Sequence, residues 1–194
     1  SFCGYETHNH HQDRTKCTPG ARVLKELSEV IASPLATIMN KSLEEGYPPQ
    51  CWNDANVSPI FKKGSKSKCG NYRPVSLTSV VCKTMESIIR EHLMKHIIVN
   101  DLLSKCQHGF VSGRSCSTQL LHCLDIWTSI LNKDGGSLDA IYLDFAKAFD
   151  SVPHMRLLKK LKAYGVTGNL LSWSQAFLTG RRQRVVVNGE TSEW

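Results

Sequence analysis

The order of periodicities along the chain predicts an α+β fold. Segments with apolar residues at helical spacing are interspersed with short strand-like runs, without the regular strand–helix alternation of a parallel sheet. Two pairs of those runs flank turn signals: a basic Gly/Ser-rich stretch after residue 61, and Asn188-Gly189 near the end.

The elements follow in order. The first 20 residues are polar, His-rich and without periodicity, and are expected to be irregular. "ARVLKELSEVIASPLATIMNKSLEEG" places Val23, Leu24, Leu27, Val30 and Ile31, then Leu35, Ile38 and Met39, at helical spacing. Pro34 is expected to divide or kink this helix, and Gly46 to stop it. "NVSPIFKKGSKSKCGNYRPVSL" reads as two strands around a basic loop. "VCKTMESIIREHLMKHIIV" is an amphipathic helix with Met85, Ile88, Ile89, Leu93 and Ile97 on its stripe. After the Gly-punctuated "QHGFVSGRS" comes "STQLLHCLDIWTSILN", a helix that Ser or Thr can cap. Its Leu120, Leu121, Leu124, Trp127 and Leu131 are expected to face inward. Residues 140–145 read as a strand, two helices follow Pro153, and "RQRVVVNGETSEW" reads as a closing hairpin.

Bulk properties exclude several classes. The 194 residues are 41% hydrophobic and 21% charged, ordinary for one soluble domain or part of a larger one. No apolar run approaches the roughly 18 residues a bilayer span requires, and "SFCGYETHNH" has no signal-peptide pattern. The eight cysteines form no CxxC pair. They are read as reduced thiols of an intracellular protein, nuclear or cytoplasmic.

The net charge of +7 is uneven: five basic against six acidic residues up to residue 50, and nineteen against eleven beyond it. Lys62, Lys63, Lys66, Lys68 and Arg73 occur in a stretch with no acid, and Arg181 to Arg184 read "RRQR". Such runs are either solvated surface or, on one face, a nucleic-acid track.

"AIYLDFAKAFDSVPH" puts one carboxylate inside an apolar run. In a strand, Ile141, Leu143 and Phe145 share one face, and Tyr142 and Asp144 the other. The second face turns the carboxylate toward a cleft, since burying it unpaired is costly. Asp144 then either caps the following turn or binds a hard cation. Mg²⁺ takes one or two carboxylates together with substrate phosphates.

The ordered blocks "SPIFKKG…NYRPVSLTSVVCKTMESII", "QHGFVSGRS", "IYLDFAKAFDSVPH" and "FLTGRRQRVVVNG" resemble the reverse transcriptase of non-LTR, LINE-type retrotransposons, jockey-like and chicken-repeat-like. The resemblance runs from about residue 20 to residue 194. It implies an RNA-directed DNA polymerase with the fingers and the first part of the palm of a right hand, truncated before the rest of the palm and the thumb. On that reading residues 21–136 are a helical lead-in and fingers, and residues 137–194 a partial palm ending in a hairpin. Asp144 matches the first palm aspartate, a ligand of both catalytic Mg²⁺ ions, with the Phe145 main-chain carbonyl assisting. Phe149 matches the residue whose ring excludes a ribose 2′-OH and so selects dNTPs. Lys62, Lys63 and Arg73 match the segment gripping the triphosphate, and Arg114 the block supporting the template. Asp150 is expected to cap the helix around His154. The partners implied are an RNA template, a DNA primer and dNTPs.

Departures from the family pattern shape the expected activity. The sequence has no PQG block and no Asp-Asp pair, and no aspartate follows Asp150. Val111 and Ser112 follow "QHGF", where the family commonly has a basic residue. One carboxylate does not hold two divalent cations, so this chain alone is expected to be inactive and to bind Mg²⁺ weakly or not at all. Competing readings are a non-catalytic nucleic-acid-binding module using the basic fingers, and a functionless pseudogene product. Metal readings of "HNHH" between Cys3 and Cys17, of His92 and His96 with Leu93 where HExxH needs glutamate, and of Cys116, His122 and Cys123 are weaker than ordinary structural ones.

Overall fold

The computed structural model describes residues 21–194, so the expectations for residues 1–20 lie outside the described residues. Residues 21–90 together with 158–194 form one compact unit, and residues 91–157 another. The end of the chain returns to the first unit, where residues 182–185 pair with residues 54–57.

In the first unit, helix α1 (Ala21–Glu26) is followed by α2 (Ser28–Glu45). The break falls at Leu27, and Pro34 lies inside α2. Gly46 ends α2 as expected, at φ 72°, its amide donating to the Leu43 carbonyl. A short helix α3 (Gln50–Asn53) leads into strand β1 (Asp54–Phe61), which pairs antiparallel with β2 (Tyr72–Leu77). This is the predicted hairpin, in the register Phe61↔Tyr72 to Asn56↔Leu77. Pro59 and Pro74 face each other at the end of β1 that only β2 borders, where a missing N–H costs least.

Helix α4 (Val80–Val99) starts in this unit, and α6 (His154–Ala163) ends in it. Helix α7 (Gly168–Leu178) then leads to β3 (Arg182–Val187) and β4 (Glu190–Thr191), joined through Asn188 and Gly189 at φ 51° and 87°. The expected hairpin is present, and both central residues stand at positive φ, as a type I′ turn requires. Strand β3 also runs parallel to β1, so the sheet order is β2-β1-β3-β4.

All the buried apolar side chains among the described residues belong to this unit: Met39, Trp52, Ala55, Val57, Cys82, Met85, Ile89, Leu158, Val166 and Trp173. Period-2 burial of Ala55 and Val57 gives β1 its core face. Cys82, Met85 and Ile89 give α4 its stripe, while Ile88 stays exposed. Helices α2 and α7 are joined by polar links: Trp173 Nε1 donates to Ser42 Oγ at 2.9 Å, Ser42 Oγ donates to the Tyr47 carbonyl at 2.7 Å, and Asn169 donates to the Glu44 carbonyl.

The second unit holds the end of α4, helix α5 (Cys116–Leu131) and the loops around them. Ser115 caps α5 in a reciprocal box with Thr118, as the sequence predicts. Two expectations are corrected here. Leu120, Leu121, Leu124 and Leu131 do not face inward; each is exposed, and only Trp127 of the predicted stripe is half-buried. Residues 140–145 are not a strand: the segment pairs with no strand among the described residues, and Ile141, Leu143 and Phe145 are as exposed as Tyr142. Alternation marks a segment able to be a strand, but a strand exists only through a partner ladder.

Candidate nucleotide and nucleic-acid site

The basic loop is a folded tip of the β1–β2 hairpin. Lys62 donates its amide to the Asn71 carbonyl at 2.8 Å, Asn71 Nδ2 reaches the Ser65 carbonyl at 2.8 Å, and the Tyr72 hydroxyl reaches the Lys66 carbonyl at 2.9 Å. Gly64, at φ 88°, passes so close to Asn71 that a Cβ would stand 2.7 Å from Nδ2. Phe61 and Tyr72 meet edge to face at 5.5 Å, and Lys66 Nζ lies 5.8 Å from the centre of the Phe61 ring. Lys62, Lys63, Lys66, Lys68 and Arg73 are all exposed, and none forms an ion pair among the described residues. Coulomb repulsion among them is therefore relieved only by solvent and counterions, as in a binder of anions.

The "RRQR" cluster behaves differently. Arg182 forks onto Asp54, Nε to Oδ1 at 2.9 Å and Nη2 to Oδ2 at 2.7 Å, and this holds the Asp54 carboxyl below its ordinary value. Arg184 donates to Asn56 Oδ1 at 2.7 Å and lies over the Trp194 ring, while Arg181 lies over Phe177. Contacts within the first unit hold all three arginines, but only Arg182 has its charge met by a carboxylate, so the cluster is neither wholly solvated nor a free track.

In the second unit, Asp144 is exposed in the loop that precedes the turn at residues 146–151. Phe149 meets Phe110 edge to face, with centroids 6.0 Å apart and an interplanar angle of 86°, and both rings are more than three-quarters exposed. Arg114 does not reach outward: its Nη1 donates to the Lys105 carbonyl at 2.7 Å and also to the Gln107 carbonyl, closing the "QHGFVSGRS" loop. Asp150 does not cap α6. Among the described residues it takes no bond from the helix's first turn, whose Arg156 and Leu157 amides both donate to the Pro153 carbonyl.

A profile of the family described as reverse transcriptase (RNA-dependent DNA polymerase) matches residues 60–194, a span that includes the hairpin tip, Arg114, Asp144 and Phe149. The chain belongs to the reverse transcriptase family. This reverse transcriptase chain is of the non-LTR, LINE type. It is 30% identical over 172 residues to the RNA-directed DNA polymerase from mobile element jockey of Drosophila melanogaster, covering 88% of this chain and 19% of the relative. It is 32% identical over 129 residues to the probable RNA-directed DNA polymerase from transposon BS of the same organism, covering 66% and 14%. A transposon TX1 protein of Xenopus laevis is 26% identical over 151 residues, 78% of this chain and 11% of that protein. The chain thus spans about a fifth or less of the length of these relatives.

Polymerases of this family use divalent metals. Among the described residues no three His, Cys, Asp or Glu side chains are grouped so as to hold a metal ion. Asp144 and the Phe145 carbonyl supply one carboxylate and one carbonyl, three oxygens at most, so the residues present do not make up a two-ion centre and no catalytic step is assigned to one. The His92–His96 and Cys116–His122–Cys123 sets form no such group either. The six described cysteines are free, and Cys82 is chemically quiet: burial, then the Glu86 carboxylate 3.1 Å from its sulfur, pushes its thiol up to about 12. An apolar groove of about 180 Å³, lined by Leu24, Ile31, Leu35, Val80 and Val81 among others, contains no titratable side chain and is no catalytic candidate. No helix among the described residues is long and apolar enough to cross a membrane.

Lys159, Lys160 and Lys162 of α6, with Leu161 between the last two, are a further run of exposed cations that sequence reasoning did not single out. The signal that marks them is the absence of any acid between Asp150 and Glu190.

Proposed function

We propose that this chain forms the fingers and the first part of the palm of a mobile element's RNA-directed DNA polymerase. In the whole protein it would carry out template-directed nucleotidyl transfer with two Mg²⁺ ions. The observation that carries this reading is the ordered, acid-free hairpin tip within a chain of this family. It offers Lys62, Lys63 and Arg73 to an anionic partner, namely the triphosphate of an incoming dNTP or the RNA template.

In the whole protein Asp144 would supply one of the carboxylates that hold the metal ions, and those ions would activate the attacking oxygen and stabilise the leaving one. Phe149, with Phe110 edge-on against it, presents a ring that a ribose 2′-OH would strike. Arg114 acts on the template indirectly, by fixing the loop that bears Phe110. Because the chain holds one metal-binding carboxylate of the set, it alone binds nucleic acid and does not extend a primer. The site of action is intracellular, where the element's RNA and dNTPs are found.

Two assays test this reading. RNA binding by the chain should weaken at least tenfold in Lys62→Glu/Lys63→Glu/Arg73→Glu, each lost phosphate contact lowering the salt slope by about 0.7. Asp144→Ala should leave that binding unchanged. In a full-length element polymerase carrying this segment, Asp144→Ala should abolish Mg²⁺-dependent primer extension on RNA, and Phe149→Val should admit rNTPs. Persistent extension by the Asp144→Ala enzyme would overturn the metal assignment. Unchanged RNA binding after the charge reversals would overturn the hairpin assignment.

A further inference from the structure

The outer face of α6 is a second cationic surface, separate from the hairpin tip. Residues 151–189 contain no acid, and α6 contributes Lys159, Lys160 and Lys162 to the first unit. At 100° per residue Lys159 and Lys160 point away from the stripe of Leu158 and Leu161, and Lys162, one turn on from Leu158, borders that stripe, so the three lysines span the arc the leucines leave free. Leu158 is buried at 6% exposure and Leu161 is half-buried, while all three lysines are exposed. None of them forms an ion pair among the described residues. Lys160 Nζ rests over the Tyr164 ring at 5.5 Å, a contact that keeps its charge intact. The contrast with Arg182 is the deciding one: its charge is met by a carboxylate within the fold, and the α6 charges are not.

We infer that this face binds the phosphodiester backbone of a nucleic-acid strand without reading its sequence. Three point charges on a rigid helix match an extended polyanion, and lysines make phosphate contacts that carry no base information. A lipid surface is the poorer fit, because membrane-surface helices bury an apolar face in the bilayer and α6 spends its apolar face on the protein core. The inference goes beyond the polymerase reading and stands on charge and geometry alone.

The test is fluorescence anisotropy of the whole chain with a labelled single-stranded RNA of ~20 nucleotides, titrated between about 50 and 200 mM KCl, with a DNA duplex as a second arm. Lys159→Gln/Lys160→Gln/Lys162→Gln should bind RNA roughly tenfold more weakly at the lower salt, with a log K–log salt slope shallower by about 2. Its circular dichroism should match that of the parent chain. If the triple variant fails to fold, Lys159→Gln and Lys162→Gln alone should each lower the slope by about 0.7. A matching loss on the DNA duplex supports backbone recognition common to both nucleic acids, and a loss on RNA alone assigns the face to RNA. Unchanged affinity and slope on both would overturn the inference. The hairpin variant Lys62→Gln/Lys63→Gln/Arg73→Gln separates the two readings. If only that variant loses binding, the α6 inference fails and the hairpin stands; if only the α6 variant does, the reverse holds. Phosphatidylserine vesicles that strip the chain from RNA would overturn the choice of partner.

Discussion

Asp54 and Arg182 lie 128 positions apart and share two hydrogen bonds across the parallel β1–β3 register. Arg182, donating to the Asp54 carboxylate, holds its pKa below the ordinary value. A carboxyl depressed in the folded state contributes stability above its unfolded pKa of about 3.9, and loses that contribution as pH falls through the folded value. Asp54→Asn should therefore be less stable than the parent at pH 7, by at most about 1 kcal/mol because the pair is partly solvated. The gap should close below about pH 4. A gap constant from pH 3 to pH 7 in urea titrations would assign the effect to packing instead. At this scale "RRQR" was legible as charge but not as commitment: Asp54, Asn56, Phe177 and Trp194 satisfy it from positions no local pattern connects to it. Arg114 is the same case, a cation whose partners are the carbonyls of its own loop.

Elements whose ends are set by local chemistry were read well. Asn188-Gly189, the Ser115 cap and the Gly46 stop each fix a boundary through backbone preferences of a few residues. Gly46 carries a second constraint, because a Cβ there would lie 3.1 Å from Ser172 Cβ of α7. Gly46→Ala should accordingly cost about 1–2 kcal/mol from the left-handed backbone alone, measured by urea denaturation, with more if α2 and α7 must separate. A cost near zero would overturn the left-handed backbone at residue 46, and a cost of only about 1–2 kcal/mol would mean that α2 and α7 take up the added methyl without separating. Elements that depend on distant partners were misread. The 140–145 segment has the alternation of a strand and no ladder, and the β1–β3 pairing has a ladder and no local signal.

For the whole molecule, the distribution of burial separates two regimes. The first unit contains every buried apolar residue described, whereas the second has none, and its α5 leucines and the 140–149 aromatics face solvent. Helical periodicity in α5 correctly gave which side is apolar; it carries no information on whether anything covers that side. The same holds for the candidate site: Asp144 was legible as an unusual carboxylate in an apolar run, yet nothing in the chain's own pattern supplies the neighbours that would make it a metal centre. Local opening free energy follows buried contacts, so the two units should differ in hydrogen exchange. Amides of β1 and of α4 around Met85 should exchange at least about a hundredfold more slowly than those of α5 around Leu124. Mass-resolved exchange of the intact chain measures both in one experiment. Equal protection would mean that α5's apolar face is covered in solution, by a second copy at high protein concentration if the protection falls on dilution. Unequal protection that rises in α5 on addition of RNA would instead tie the second unit's order to the added RNA.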